Sequence, residues 1–419
     1  MDVFLQLRRR VMTSVRVLSV ALLLLGPALA AQAHETDSST RDDSHSAASR
    51  HAIDASPDPE QADAAQLASS VGITLEEAVT QLGRRPRVGD LRNVLEDRGP
   101  SSFDGMFIDY GPDYKITLLA HPGGGTEIRQ AVTDLGFGEL SPFTAVRETL
   151  YTETVLENTL VQVSELLGAQ ATTLGFDIRT GEVIVTTSSS DLEPVRTLVA
   201  SREKAMLASR ILVREGGAYD QHSYGGLGLF FGGPSPCTTG FTVRSTASDV
   251  EGVATAAHCA NENAFLDHHS GVTFNYKVGK NRDSQDVQWH GTTDLDDLKQ
   301  IKWLNDGTTR TISARKDRSD MEIGDQVCKY GRSSGYGCGF IRMRSFDPDG
   351  GGNEFNPTFI QMEDVDTNST DSGGPWFHGG AAFGIHKGAT FGGGGVPSYP
   401  FFMAQNFMGA LDIQVQISP

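Results

Sequence analysis

The sequence predicts an α+β unit followed by a mostly β unit whose short antiparallel strands suit barrels or a sandwich. Glycine usage separates the two, since residues 1–215 hold 15 Gly and residues 216–419 hold 32. In the leading part, Leu156, Leu160, Val163 and Leu167 recur at alternating steps of four and three, which sets them on one apolar helical face. The trailing part is cut into short β-rich segments by glycine and Asp/Asn turns.

At 419 residues and 38% hydrophobic, the chain is long enough for two or three domains with cores of their own. Lys and Arg total 35 against 53 Asp and Glu, a net charge of -18. Composition therefore offers no basic surface for neutralising phosphates, and nucleic acid is not expected as a partner. The longest apolar candidate for a membrane span, Val20 to Ala31, is interrupted by Gly26 and Pro27.

Residues 1–33 read as a secretory signal. Arg8, Arg9, Arg10 and Arg16 precede an apolar stretch from Val17 to Leu25, and small residues follow at Ala28, Ala30, Ala31 and Ala33. Cleavage is expected near Ala33, with Ala30 as second choice. The exported product would carry 31 basic and 52 acidic side chains, a charge of -21, and an oxidising compartment favours disulfides for its four cysteines.

Residues 34–65 contain Ile53 as their one large aliphatic residue, too little apolar surface to offset the entropy of ordering, and are expected to form a disordered tether. Residues 66–215 form the α+β unit. Ser141-Pro142 has the order of a helix start, and strands are expected at Met106 to Asp109, Tyr114 to Leu119 and, after the turn Arg179-Thr180-Gly181, Val183 to Thr186. This unit has no Cys and one histidine, His121, so little equipment for metal or nucleophilic chemistry.

Residues 216–419 supply strands at Phe241 to Val243, Val272 to Val278, Arg310 to Ala314, Phe359 to Gln361, Ala381 to Ile385 and Ile413 to Val415, with a helix expected at Phe402 to Leu411. The pair His268-His269 and His290 lack ligand spacing and are expected at the surface; the run Gly392 to Gly395 reads as a flexible loop and not a phosphate cradle. No cofactor and no metal are called for.

Two blocks carry the chemistry: Ala254-Thr255-Ala256-Ala257-His258-Cys259 and Thr370-Asp371-Ser372-Gly373-Gly374-Pro375. A serine hydroxyl becomes a useful nucleophile when a base lies within hydrogen-bond reach and a third group orients that base. His258 supplies an imidazole, the side chain suited to taking and returning a proton, and glycine after Ser372 lets a substrate backbone approach.

In this order, with Cys beside His and about a hundred residues between, the blocks resemble those of chymotrypsin-fold serine proteases. The secreted bacterial branch containing streptogrisins and alpha-lytic protease is most similar. For residues 216–419 the resemblance implies a trypsin-like pair of antiparallel β-barrels, peptidase S1 chemistry through an acyl-enzyme, and polypeptide substrates. It also implies an orienting Asp between His258 and Ser372. Asp286, where a strand begins, fits best; Asp283 is the runner-up, and Asp294 to Asp297 read as a solvated turn.

Further roles follow from the resemblance alone. It pairs Cys237 with Cys259 and Cys328 with Cys338, each bridge contributing roughly 3 kcal/mol on the chain-entropy account; a four-thiolate metal site is the competing arrangement, though no Cys-x-x-Cys is present. Asp371 requires a cation, for which Lys329 is the adjacent candidate and Arg332 the reserve. The N–H groups of Thr370 and Ser372 would form the oxyanion hole, but the family normally has Gly where Thr370 stands, and a lost donor costs about a hundredfold. Ser369, His386, Lys387 and Gly388 would line the primary pocket, His386 and Ser369 suggesting an acidic P1 side chain and the plain alternative being apolar or small residues.

Residues 66–215 resemble a pro-region of the alpha-lytic type. That implies a secreted, monomeric zymogen whose own pro-region acts as intramolecular chaperone and inhibitor and is released between about Arg210 and Gly226, near Gly216-Gly217. No membrane contact is expected after signal removal. The rival reading is a secreted binding protein on a protease scaffold, its oxyanion hole spoiled at Thr370.

Overall fold

A computed structural model describes residues 59–418 except 172, 203–209, 218–227, 231–236, 267–272, 283–284, 293–299, 303–308, 349–356, 369–370 and 393–397. The signal, most of the tether, His268, His269, Asp283, Asp294 to Asp297, Ser369 and Thr370 lie outside the described residues, as does most of the Gly392 to Gly395 run. Among the described residues, no helix is long and apolar enough to cross a membrane.

Three helices open the fold: α1 (Pro59–Val71), α2 (Leu75–Gly83) and α3 (Arg85–Arg98). Helix α1 corrects the expected tether, because its first seven residues fall inside 34–65. Ala64 and Leu67 are fully buried beside Phe340, and Asp63 is ion-paired, so a sequence poor in large aliphatics is ordered by its docking. A capping box between Thr74 and Glu77 starts α2.

A small sheet follows, β1 (Phe103–Asp109) antiparallel to β2 (Lys115–Ala120), then helix α4 (Gly125–Asp134) and β3 (Thr144–Glu148), which runs parallel to β2. Ser141-Pro142 does not start a helix. It ends the 3-10 turn Gly138–Phe143, because the next residues are taken into the sheet as β3. The helical face read from the sequence is on α5 (Glu153–Leu167), where Leu156, Leu160, Val163 and Leu167 are all buried, each contributing roughly 1.5–3 kcal/mol before ordering costs.

The leading unit closes with β4 (Thr173–Asp177), β5 (Glu182–Thr187), helix α6 (Leu192–Arg202) and β6 (Arg210–Gly217). Strand β6 spans the expected boundary at 215/216.

The trailing half begins with β7 (Gly228–Phe230), β8 (Cys237–Thr238), β9 (Thr242–Ser245), β10 (Glu251–Thr255), β11 (Ala264–Leu266), β12 (Thr273–Arg282) and β13 (Gln285–Thr292). With the C-terminal β23 (Ile413–Val415) these form one eight-stranded sheet, ordered β23-β9-β10-β13-β12-β11-β7-β8. Short pieces follow, β14 (Gln300–Lys302), β15 (Thr309–Thr311) and β16 (Ala314–Arg315).

The last strands are β17 (Gln326–Gly331), β18 (Gly335–Asp347), β19 (Phe359–Glu363), β20 (Pro375–His378), β21 (Ala381–Gly392) and β22 (Tyr399–Ala404). They run β17-β20-β21-β22-β19-β18, and β18 pairs back on β17, closing a six-stranded barrel. Such closure removes sheet edges. Phe402 to Leu411 is not one helix: β22 takes its first residues, because Phe401 and Phe402 pair with both neighbouring strands and are fully buried, and the rest is the 3-10 turn Gln405–Leu411.

The two halves share structure. Strand β4 adds antiparallel to β18, so β4, β5 and β6 extend the barrel sheet, and β6 also pairs with β21 through Gly217↔Phe391 and Gly216↔Gly392. One core cluster runs from Leu156 and Val185 in the leading half to Ile341, Trp376 and Phe402 in the barrel. Buried ion pairs reinforce the junction, Arg85 to Asp325 at 2.9 Å and Arg92 to Glu322 at 2.9 Å.

Candidate active site

Strands β10 and β13 pair antiparallel from Glu251↔Thr292 to Thr255↔Gln288, which brings the turn after β10 beside the start of β13. His258 is on that turn and Asp286 at that start. His258 Nδ1 lies 2.7 Å from Asp286 Oδ2, and the His258 backbone N–H donates to Oδ1 at 3.1 Å. Both carboxylate oxygens therefore hold one residue, and with Nδ1 donating, the imidazole lone pair sits on Nε2. That nitrogen is buried and has no hydrogen-bond partner.

Burial would push the Asp286 carboxyl upward, but His258 and the charge of Lys387 outweigh it and hold the carboxyl below its ordinary value. Asp286 thus faces His258 as a carboxylate at neutral pH. The disulfide Cys237–Cys259 ties the His258 turn to β8.

Ser372 enters from the barrel. Thr238 N–H, on β8, donates to Ser372 O at 3.0 Å, and Gly373 N–H donates to His386 O at 2.7 Å. Gly373 has φ +84, and a Cβ there would lie 2.2 Å from Thr255 Oγ1, so only glycine allows the nucleophile turn to press against the strand leading to His258. The Ser372 hydroxyl donates to Lys387 O at 3.5 Å and not to His258. Catalytic hydrogen bonds are often long or misaligned without substrate.

Asp371 points away into the barrel, 1% exposed, where Lys329 Nζ lies 3.1 Å from Oδ2 and Asn368 N–H donates to the same oxygen at 3.1 Å. Ser334 also bonds this oxygen. Burial raises the carboxyl's pKa, yet Lys329 and these donors bring it below the ordinary value. Lys329, from β17, is the cation the sequence placed here, and Arg332 is not needed for it. The β17–β18 hairpin that holds Lys329 is fastened by Cys328–Cys338. Replacing Lys329 with Met would leave Asp371 buried and uncompensated, so a loss of about 3–5 kcal/mol in unfolding free energy is expected in denaturant titrations of K329M.

The expected pocket residues fare differently. His386 is buried beside Trp376, whose indole Nε1–H donates to His386 Nδ1 at 3.4 Å. Burial pushes this imidazole down to about 4, so it is neutral at pH 7 with its proton on Nε2. Lys387 does not line an open pocket. It is 1% exposed, at the register shift between His386 and Gly388, with its ammonium 4.8 Å from the centre of the Phe359 ring. Gly388, just past a register shift in β21, faces Phe401 across the ladder.

His290 corrects another expectation: it is fully buried on β13 against Tyr276, with burial pushing its pKa down to about 4. Among the described residues, the one group with metal-like clustering is Asp63, Cys328 and Cys338, and the two sulfurs are spent in a disulfide. Trp376 and Ser334 escaped the sequence reading. Trp376 is the second residue of β20, four residues after Ser372, and pairs with Gly384 of β21.

Residues 231–407 match the family model described as Trypsin. This part of the chain resembles the trypsin family. Serine protease 1 of Streptomyces fradiae is 27% identical over 231 residues, 52% of this chain and 59% of its own length, so the chain spans about three fifths of that relative. Two solved structures are similar to part of this chain. Nocardiopsis protease is 22% identical with a TM-score of 0.38, over 46% of this chain and 98% of its own. Thermobifida fusca protease A is 24% identical with a TM-score of 0.37, over 46% and 98%.

Proposed function

We propose that the chain is a secreted serine endopeptidase made as a zymogen, with Ser372 as nucleophile, His258 as general base and acid, and Asp286 as orienter. The observation that carries this is the His258–Asp286 pair at 2.7 Å, which leaves Nε2 unpartnered in a turn packed against the Ser372 loop. In acylation the Ser372 proton passes to Nε2 as Oγ bonds the substrate carbonyl carbon; the proton then goes to the leaving amine as the C–N bond breaks. Water repeats the sequence to free the acid and restore Ser372. The Ser372 and Thr370 N–H groups are the proposed oxyanion donors.

The leading unit is proposed as a pro-region that assists folding and then inhibits. Its support is β6, which pairs with the far end of β21, the strand bearing His386 to Gly388, and the shared core. A glycine-rich barrel built on non-local pairing folds slowly, which gives such a helper its physical reason. Release is proposed between about Arg210 and Gly226, near Gly216-Gly217. The test combines a fluorophosphonate probe with N-terminal sequencing of the secreted material. Labelling at Ser372 and a new N-terminus between about residues 210 and 226 are expected; absence of labelling in processed protein would instead favour the binding-protein reading.

An acidic P1 side chain is the finer proposal, its carboxylate accepting from His386 Nε2–H. A bound anion would raise that imidazole from about 4, so binding takes up a proton and tightens as pH falls. In a peptide library varied at P1, the kcat/KM ratio of Glu over Gln is expected to rise from pH 7 toward pH 5, and His386→Ala to flatten it. A library showing no preference for Glu or Asp ends this proposal.

A further inference from the structure

A second polar site lies away from the nucleophile, where α1 inserts a carboxylate into the protease half. Asp63 is fully buried. Arg310 Nη1 donates to its two oxygens at 2.8 and 3.0 Å, the Tyr336 hydroxyl donates to Oδ1 at 2.5 Å, and the Gly379 N–H donates to Oδ2 at 2.6 Å. His378 Nδ1 is 3.6 Å from Oδ2, and Cys328 Sγ of the disulfide is 3.4 Å from Oδ1.

Every one of these partners comes from the trypsin-like part, and their chemistry is selective. Arg310 is itself 1% exposed, its guanidinium 4.9 Å from the Phe377 ring centre and 5.7 Å from that of Tyr336. A fixed cation and two neutral donors converge on one small volume. An amide or hydroxyl could satisfy the donors but, being neutral, would not match the guanidinium's charge. Burial holds His378 well below its ordinary pKa, so it adds no second positive charge.

We infer that Arg310, Tyr336 and the Gly379 N–H form a carboxylate-binding site of the protease half, filled in this chain by Asp63 of α1. The site acts as a latch for α1. It also borders the nucleophile support, since Cys328 touches Asp63 while the next residue, Lys329, holds Asp371. Its use by an acidic side chain of another polypeptide rests on the processing proposed above, whereas its preference for a carboxylate does not.

The test uses the full chain and needs no cleavage. Asp63→Ala leaves a cavity facing Arg310, and sodium acetate, compared with equal sodium chloride, serves as the probe during thermal unfolding. Acetate is expected to raise the Tm of D63A saturably beyond chloride, with no such increment in the parent chain or in D63A combined with Arg310→Gln. Equal responses to the two salts, or an acetate effect that survives loss of Arg310, would overturn the inference.

Should D63A fail to fold, Asp63→Asn keeps the shape and removes the charge. Amide exchange over residues 59–71 and 326–338 of D63N is then expected to be at least about tenfold faster than in the parent, and unchanged exchange would overturn the inference equally. A chain that passes these measurements but is never cleaved would refute release while leaving the site intact.

Discussion

Replacing Ser372 with alanine is expected to lower turnover of a peptide substrate by about a millionfold and to leave the chain uncut between about residues 210 and 226. The magnitude follows from the nucleophile acting as one unit with its base, since loss of the serine alone costs as much as loss of the whole constellation. Fold should not confuse the result. Ser372 is 2% exposed, and its backbone is pinned by Thr238 N–H at 3.0 Å, a bond alanine keeps. The lost hydroxyl bond to Lys387 O is long, at 3.5 Å, so the melting temperature should hardly move. A purified S372A chain that retains turnover would show that another residue attacks the substrate.

Asp286→Asn is expected to lower kcat by about ten-thousandfold with little change in KM. Asp286 accepts from Nδ1, which keeps the lone pair on Nε2 where a serine proton can be received. An asparagine offers an N–H to the same nitrogen, favours the other tautomer, and puts a proton on Nε2, so the imidazole can no longer act as base. It also removes the anion that stabilises the imidazolium formed during acylation. Single-turnover kinetics separate this from a binding defect. An Asn variant with near-normal acylation would move the orienting role elsewhere, Asp283 being the next carboxylate along the chain.

How much of this was legible in the sequence depended on range. The helical stripe of α5 and the strands β1, β5 and β19 obey local periodicity, and local periodicity is what a sequence displays. His258, Asp286 and Ser372 were found through short motifs, whose spacing reflects the order of strands and not their contacts. What escaped was decided by partners far along the chain. Asp63 lies in a stretch that cannot bury itself, yet it is ordered by Arg310, 247 residues away. His290 looked like an isolated surface histidine because nothing local says that both faces of β13 are covered. The burial of Lys387 over the Phe359 ring was equally illegible, since Phe359 comes from a different strand.

The core that passes from α5 and β5 through the barrel to Phe402 implies that heat should melt both halves in one calorimetric event, not two. Severing the connection after Gly217 leaves that packing untouched but changes its thermodynamics, for the fragments then hold together only at the strength of a bimolecular complex. Dilution, which is irrelevant to an intact chain, would become a trigger for their separation.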